Sequence, residues 1–470
     1  MTVASGTPAG RAGGRYRVLV ANRGEIAVRV VRACRELGFE SVVAHSTVDG
    51  DSLAVRLADR GFCIGPADVT KSYRSIGTIV TVAEGLGCDA IHPGYGFLAE
   101  NAEFARAVAE AGLTFVGPRA DAIATMGDKI AARTAAERLG VPVVPGATLT
   151  DSTADEALHA ARTVGFPILL KASAGGGGKG IRPVTREEDF VDQFTEASAE
   201  ALAAFGSGEL YIERYVQAAR HVEVQVFGDG AGGVVVLGER DCSVQRRHQK
   251  LVEEAPSPVL SAATRRALTE AARTLTSGID YAGAGTVEFL YDMETSEFFF
   301  IEMNTRIQVE HPVTEVVHGV DLVAAQLWFA ATGTVLLEEP TSQLPGLHAI
   351  ECRINAEDPR TFLPRPGRIN ELDLPGGPGI RVDTHCTAGY TITPYYDSMI
   401  AKLIAWGPSR DVALARMTGA LAELRINGPA TTAPLHLGVL AHPDFAASRH
   451  TTTWLETTDL VDTPSPRGHR

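Results

Sequence analysis

Cysteine, positive charge and long apolar runs are all scarce in this chain, and each shortage closes a class of function. Six cysteines in 470 residues, at positions 34, 63, 88, 242, 352 and 386, form no CxxC pair. Neither a zinc site nor a disulfide framework is supported, and reduced, mostly buried thiols are expected. Lys and Arg number 43 against 57 Asp and Glu, a formal net charge of -14, which argues against a nucleic-acid surface. Any anionic substrate must therefore be held by a local group of Lys and Arg. No uncharged apolar stretch approaches the roughly 18 residues that cross a bilayer, and the amino terminus lacks the apolar segment of a signal peptide. No membrane partner and a cytoplasmic location are expected.

What is present is an ordinary globular composition, 45% hydrophobic and 21% charged, in a length suited to about three domains. Residues 1–15 are small, Gly-rich and free of acids, a composition expected of a disordered tail; residues 456–470 read as a second tail. From Tyr16 the chain reads as a buried strand, a Gly turn and a helix with Ile26, Val30, Val31, Cys34 and Leu37 on one stripe, closed by Gly38. Further strand-then-loop units follow, so residues 16–125 are expected to form a parallel α/β domain. Its first turn resembles a dinucleotide fingerprint with Asp49 near the ribose position, but NRGEIA lacks the second and third glycines.

Residues 143–216 form a different small unit: a helix from Ser152, a strand PILLKAS, the loop AGGGGKG, a helix near Glu187–Ala204 and a strand LYIERYV. Glycine lets backbone N–H groups approach phosphate oxygens with no Cβ in the way. A P-loop is excluded, because Ser173 and Gly180 stand where it needs Gly and Ser or Thr. Lys171 lies on the buried strand leading into the glycines, where an ammonium requires an anionic partner. Together these features point to a lid that closes over ATP phosphates. From Arg220 the pattern turns antiparallel, and the stretch 332–346 reads as a linker before a last unit of mixed strands and helix.

Between Phe298 and His311 the chain reads FFFIEMNTRIQVEH, with Glu302, Asn304, Arg306, Gln308 and Glu310 on every second position. A strand would set these five on one face and Ile301, Met303, Ile307 and Val309 on the other. The preceding TVEFLYDMETSEF folds back as a hairpin and places Glu288 opposite Glu302. Facing carboxylates repel by about 4 kcal/mol at 4 Å and an effective dielectric of 20, which a divalent cation converts to attraction. The oxygen set Glu288, Glu302 and Asn304 suits Mg²⁺ or Mn²⁺ bridged to phosphates. On RHVEVQV, His221, Glu223 and Gln225 share a face, a pattern a half-exposed strand explains equally well. The run QRRHQK, Gln245–Lys250, ends a strand of the same unit and is placed to hold an anion.

MGDK at Met126, KASAGGGGKG, RHVEVQV, ERDCSVQRRHQKLVEEAP, FIEMNTRIQVEHPVTE, ECRINAEDP and YYDSMIAKL together resemble the biotin carboxylase family of ATP-grasp enzymes, in one order from about Tyr16 to about Thr452. The resemblance implies an α/β fold with an amino-terminal domain at 16–125, an ATP-grasp domain at 126–335 carrying the lid, and a carboxy-terminal domain at 340–455. It implies ATP binding by Lys129, Lys171, Gly177, Gly178, Glu213, Arg214, Tyr215, Val216, His221 and His248, and one or two Mg²⁺ or Mn²⁺ ions on Glu288, Glu302 and Asn304. Lys250, Arg306 and the Val309 backbone would hold bicarbonate beside Gln308, Glu310 would be the base, and Arg353 with Tyr95 would meet biotin. The implied reaction converts ATP and bicarbonate to carboxyphosphate and then carboxylates biotin.

The six methionines include no Met-Lys-Met, so biotin is expected on a separate carrier protein, with a carboxyltransferase subunit and a homodimer as further implied partners. The acceptor stays open among acetyl-CoA, other acyl-CoA, pyruvate and related carboxylases. A non-catalytic ATP-binding regulator on this fold could dispense with Glu310, Arg306 or Arg353, and all three are present; a nicotinamide-dependent oxidoreductase would rest on the first turn alone.

Overall fold

The structure is a computed structural model and describes residues 8–10, 14–149, 152–172, 181–247, 249–339, 346–458 and 460. Strands β1 (Arg17–Val20), β2 (Glu40–Ser46), β3 (Arg60–Gly65), β4 (Ala90–His92) and β5 (Thr114–Phe115) make a parallel sheet ordered β3-β2-β1-β4-β5. The turn after β1 opens the helix Gly24–Glu36. Its expected stripe, Ile26, Val30, Val31, Cys34 and Leu37, is at most 3% exposed, and Gly38 follows at φ 73°, a left-handed conformation that only glycine adopts without strain. Asp49 is not available to a ribose. Arg23 donates to both its oxygens at 2.9 and 3.0 Å and the Tyr73 hydroxyl to one at 2.7 Å, which removes the nicotinamide reading's acid.

A second, antiparallel sheet contains β6 (Gly146–Leu149), β7 (Ile168–Ala172), β8 (Ile181–Val184) and β9 (Leu210–Arg214) in the order β6-β9-β7-β8. The helices Ala154–Val164 and Phe190–Phe205 accompany it, and Ala157, Ala161, Ile168, Leu170, Phe190 and Ile212 belong to a core of its own. The first helix starts two residues later than expected because Thr153 and Glu156 cap it reciprocally. The glycine run, with Gly177 and Gly178, lies outside the described residues.

The largest sheet has eight antiparallel strands. They are β10 (Ala219–Asp229), β11 (Val234–Arg246), β12 (Gln249–Ala255), β13 (Ala282–Asp292), β14 (Phe298–Asn304), β15 (His348–Asn355), Met399–Gly407 and Ile380–Thr384, ordered β14-β13-β10-β11-β12-β15 and then the last two. Pairing of β12 with β15 carries one sheet from the middle of the chain into its last third, which brings Arg353 beside Glu253. All six cysteines are free thiols, five of them buried. Among the described residues no helix is long and apolar enough to cross a membrane.

Three local expectations change. The polar row beginning at Glu302 is strand only to Asn304; Arg306, Gln308 and Glu310 follow on an irregular segment that enters the helix His311–His318. A bulge in the β13–β14 pairing after Glu288 adds a residue and turns Ile301 outward to 41% exposure, while Met303 and Ile307 stay buried. The row His221, Glu223, Gln225 is buried rather than half-exposed, because Arg240 reaches across from β11 and satisfies Glu223 and Gln225. The Gln245–Lys250 run spans a hairpin rather than a strand end: Arg246 lies 3.8 Å over the Phe362 ring, and Lys250, second in the return strand β12, turns inward.

Candidate active site

Glu223, Glu288 and Glu302 stand directly opposite one another on β10, β13 and β14, and Arg240 on β11 stands opposite Glu223. Three adjacent like charges would force a sheet apart. Lys250 resolves the first part of the row: its Nζ lies 2.5 Å from Glu223 Oε2, 2.8 Å from Glu288 Oε1 and 2.7 Å from Glu310 Oε1. Burial opposes the ammonium charge, yet Glu223, Glu288 and Glu310 hold its pKa well above the ordinary lysine value. Arg240 is fully buried and spends its donors on Glu223, on Gln225 Oε1 at 2.8 Å, on Thr314 Oγ1 at 2.9 Å and on Gln308 Oε1 at 2.7 Å. One guanidinium thereby ties β10 and β11 to the segment before the helix His311–His318 and to that helix.

The carboxylates at the other end of the row are not alike. Glu288 Oε1 accepts from Asn304 Nδ2 at 2.8 Å and Gln308 Nε2 at 2.7 Å, and its Oε2 lies 3.0 Å from His221 Nε2. Against burial, Lys250 and His221 hold the Glu288 carboxyl below the usual range. Burial and the neighbouring Glu288 instead push Glu302 up. Among the described residues no Lys, Arg or His forms an ion pair with Glu302, so its charge calls for a cation. Glu288, Glu302 and Asn304 offer hard oxygen donors, which fit Mg²⁺ or Mn²⁺. Asn304 Oδ1 also accepts from Arg306 Nη2 at 2.8 Å, while Arg306 Nε donates to Glu100 Oε2 at 2.9 Å.

Glu310 ends the segment with both carboxylate oxygens occupied, Oε1 by Lys250 and Oε2 by Arg353 Nη2 at 2.9 Å. Burial opposes ionisation, but Lys250 and Arg353 keep this carboxyl below its ordinary range. Arg353 Nε donates to Glu253 Oε1 at 2.6 Å, and its carbonyl accepts from Thr432 Oγ1 at 2.9 Å and His436 Nε2 at 2.6 Å. The Tyr95 hydroxyl donates to Glu25, close enough to Arg353 to feel its charge. Lys402, fully buried, donates to the Val309 carbonyl at 2.8 Å and lies 3.1 Å from Glu25 Oε1. The Val309 backbone is therefore pinned from below.

The expected ATP residues are more dispersed. Lys171 has the anionic partner its burial demanded, Glu213 on β9. Tyr215 N donates to the Pro167 carbonyl at 2.9 Å, Val216 packs with Val144 and Phe299, and Arg214 turns to Glu297 at 2.8 Å. Lys129 is exposed at the start of the helix Lys129–Arg138. His221 sits in the carboxylate row itself, where burial opposes its charge but Glu288 raises its pKa to about 9. His248, like Gly177 and Gly178, lies outside the described residues.

Sequence reasoning assigned no role to Glu223, Arg240, Glu253, Glu100 or Lys402. The Glu223 signal was available in the alternation of RHVEVQV, because a second acid facing Glu288 carries the same repulsion as Glu302. Glu100 lies 206 positions from Arg306 and Lys402 lies 93 from Val309 and still farther from Glu25, and local periodicity carries no trace of such contacts.

Three family models match the chain: biotin carboxylase, N-terminal domain, over residues 15–123; carbamoyl-phosphate synthase L chain, ATP binding domain, over 128–338; and biotin carboxylase C-terminal domain over 351–457. Biotin carboxylase 1 of Bacillus subtilis is 50% identical over 446 residues, 95% of this chain and 99% of that protein. The biotin carboxylase domain dimer of Hydrogenobacter thermophilus 2-oxoglutarate carboxylase, solved with MgADP, ADP and bicarbonate, is 47% identical with a TM-score of 0.84, covering 94% of this chain and 97% of that one. Rhizobium etli pyruvate carboxylase is 43% identical with a TM-score of 0.84 over 97% of this chain but 41% of its own. With a parallel amino-terminal sheet, an ATP-grasp centre and a continuous antiparallel sheet behind the charge cluster, this chain belongs to the biotin carboxylase family of ATP-dependent ligases.

Proposed function

We propose that the chain uses ATP and bicarbonate to carboxylate biotin presented by a separate carrier protein, and that Lys250, Arg306, Glu310 and Arg353 are its catalytic residues. The observation that carries this reading is the buried cluster in which Lys250 joins Glu288 of the metal pair to Glu310, whose other oxygen holds Arg353. Lys129, Lys171, Gly177, Gly178, the segment 213–216, His221 and His248 hold ATP. Glu288, Glu302 and Asn304 would hold Mg²⁺ or Mn²⁺, which neutralises phosphate charge. The unit 143–216 serves as the lid, within an ATP-grasp domain at 126–335 flanked by domains at 16–125 and 340–455, and its separate core supports that reading.

Bicarbonate binds to Lys250, Arg306 and the Val309 backbone beside Gln308. An anion there competes with Glu310 for Lys250, so the carboxylate loses part of the charge that depresses it and becomes a stronger base. Glu310 takes the bicarbonate proton, and the resulting carbonate oxygen attacks the γ-phosphoryl group, giving carboxyphosphate and ADP. Carboxyphosphate breaks to CO₂ and phosphate; phosphate removes the ureido N1 proton of biotin, and the enolate adds to CO₂. Arg353 stabilises the enolate as a preorganised cation, with Tyr95 shaping the pocket. Exclusion of water by the lid protects carboxyphosphate from hydrolysis.

The purified chain with Mg²⁺, ATP, bicarbonate and free biotin should release ADP in a manner dependent on both bicarbonate and biotin. ADP release indifferent to both would overturn the proposal. Glu288→Gln and Glu302→Gln should each slow Mg²⁺-dependent turnover by about tenfold or more, roughly 1.4 kcal/mol of barrier. Rates measured across a Mg²⁺ titration check this, and an unchanged titration in both variants contradicts the metal assignment.

We place the enzyme in the cytoplasm as a homodimer supplying a carboxyltransferase subunit, with an acyl-CoA, acetyl-CoA first, as final acceptor. A keto-acid acceptor is the second reading, favoured by the likeness to biotin carboxylase portions of pyruvate and 2-oxoglutarate carboxylases. Identification of the carboxyltransferase that co-purifies with the native protein separates them.

A further inference from the structure

Behind Arg353 lies a pair of carboxyl groups that the reaction scheme does not use. Glu351 on β15 is fully buried, and among the described residues neither of its carboxylate oxygens has a hydrogen-bond partner. It stands two residues before Arg353, on the same face of the strand, and directly opposite Glu253 on β12. Glu253 is equally buried; its Oε1 accepts from Arg353 Nε at 2.6 Å, and its Oε2 has no partner. Three carboxyl oxygens without a partner among the described residues thus lie in one buried layer with one guanidinium beside them.

If both acids were ionised, one buried negative charge would lack a counter-ion, at a cost no native site sustains. The nearest further cation is Lys402, already engaged by Glu25 at 3.1 Å, the Val309 carbonyl at 2.8 Å and Asp383 at 3.9 Å. The charged groups around Glu351 are Lys402, Glu253, Arg353 on its own strand and Glu310 at the head of the helix His311–His318. That helix also brings His311, held by the Gln308 carbonyl, and Glu315, held by Arg29 and Arg381. Burial first, and then Glu253 against the pull of Lys402, raise the Glu351 carboxyl well above the ordinary range. Glu253 is raised less, to about 7, because Arg353 offsets its burial. Directly opposed residues on antiparallel strands have Cβ atoms about 4.5–5.5 Å apart, within reach of a carboxyl–carboxylate hydrogen bond.

We infer that Glu351 is a positioning residue for biotin carboxylation: as a neutral carboxylic acid it donates a hydrogen bond to the free oxygen of Glu253, and so fixes the carboxylate that orients the Arg353 guanidinium. The inference rests on the proposed role of Arg353 toward biotin. It predicts that an amide can replace the acid and an alkyl group cannot.

Steady-state kinetics on the full chain test this with E351Q and E351L. Loss of a hydrogen bond to a charged group should lower kcat/KM for biotin by about tenfold in E351L, with E351Q within about threefold of wild type, and the KM for ATP should be unchanged in both. Difference infrared spectra of wild type against E351Q should show the carbonyl band of a protonated carboxyl group in the wild type. Wild-type biotin kinetics in E351L, equal losses in E351Q and E351L, or a KM for ATP that shifts in E351L would overturn the inference. Should E351L fail to fold, the infrared band decides, and its absence overturns the assignment. An inactive wild type would instead bring down the proposed function.

Discussion

Lys250→Met is expected to destabilise the protein by about 3–5 kcal/mol, the usual consequence of deleting one partner from a buried ionic cluster, and to slow bicarbonate-dependent ADP formation by about 10²–10³-fold, the loss typical of one transition-state charge stabiliser. Glu223, Glu288 and Glu310 all lie within 2.8 Å of its Nζ, and methionine fills the space without supplying the charge. Denaturant melts and ADP release measured on the same preparation check both effects. Part of the stability should return in Lys250→Met with Glu223→Gln, since one repelling charge is then gone; the activity should not, because bicarbonate still lacks its ammonium. Recovery of turnover in that double variant would show that Lys250 serves only to hold the fold. Contacting residues are where such non-additivity is expected.

Glu310→Gln should lower kcat by about 10²–10⁴-fold, the range for losing a general base. Glutamine retains an acceptor oxygen for Lys250 or Arg353, so the cluster keeps much of its geometry while the proton acceptor is lost. ATP affinity, read by equilibrium binding of a non-hydrolysable analogue, should stay close to wild type. A variant that retains bicarbonate-dependent turnover would assign the proton to another group, and Glu223 on the same lysine is the nearest candidate. The depressed pKa of Glu310 has a stability consequence of fixed sign. A carboxyl held below its unfolded value contributes stability above the unfolded pKa, and that contribution is lost as pH falls through the folded value.

The alternation of RHVEVQV, the hairpin turn between Glu288 and Glu302, the first helix with its closing Gly38 and the strand-then-loop units of the amino-terminal domain are all local patterns. Each follows from side-chain period or from the backbone freedom of glycine, which is why they can be read from neighbouring residues. The demand of Lys171 for an anion was equally legible, because a buried ammonium needs one wherever the partner lies in sequence.

Other features depended on how distant segments meet. The strand period of the polar row stops at Asn304, yet Arg306, Gln308 and Glu310 still reach the site, because Arg240, Glu288, Lys250 and Arg353 hold them there. The pairing of β12 with β15 brings Glu253 to Arg353 across 100 positions, and only that pairing exposes the unneutralised Glu351. The residue types by themselves pointed to the chemistry proposed for this chain: paired carboxylates suited to a metal, fixed cations, a candidate base and a glycine-rich loop. Which carboxylates are ionised, which cation each one holds and which acid stays neutral was decided by tertiary structure alone, because those states depend on burial and on charges only a few ångströms away.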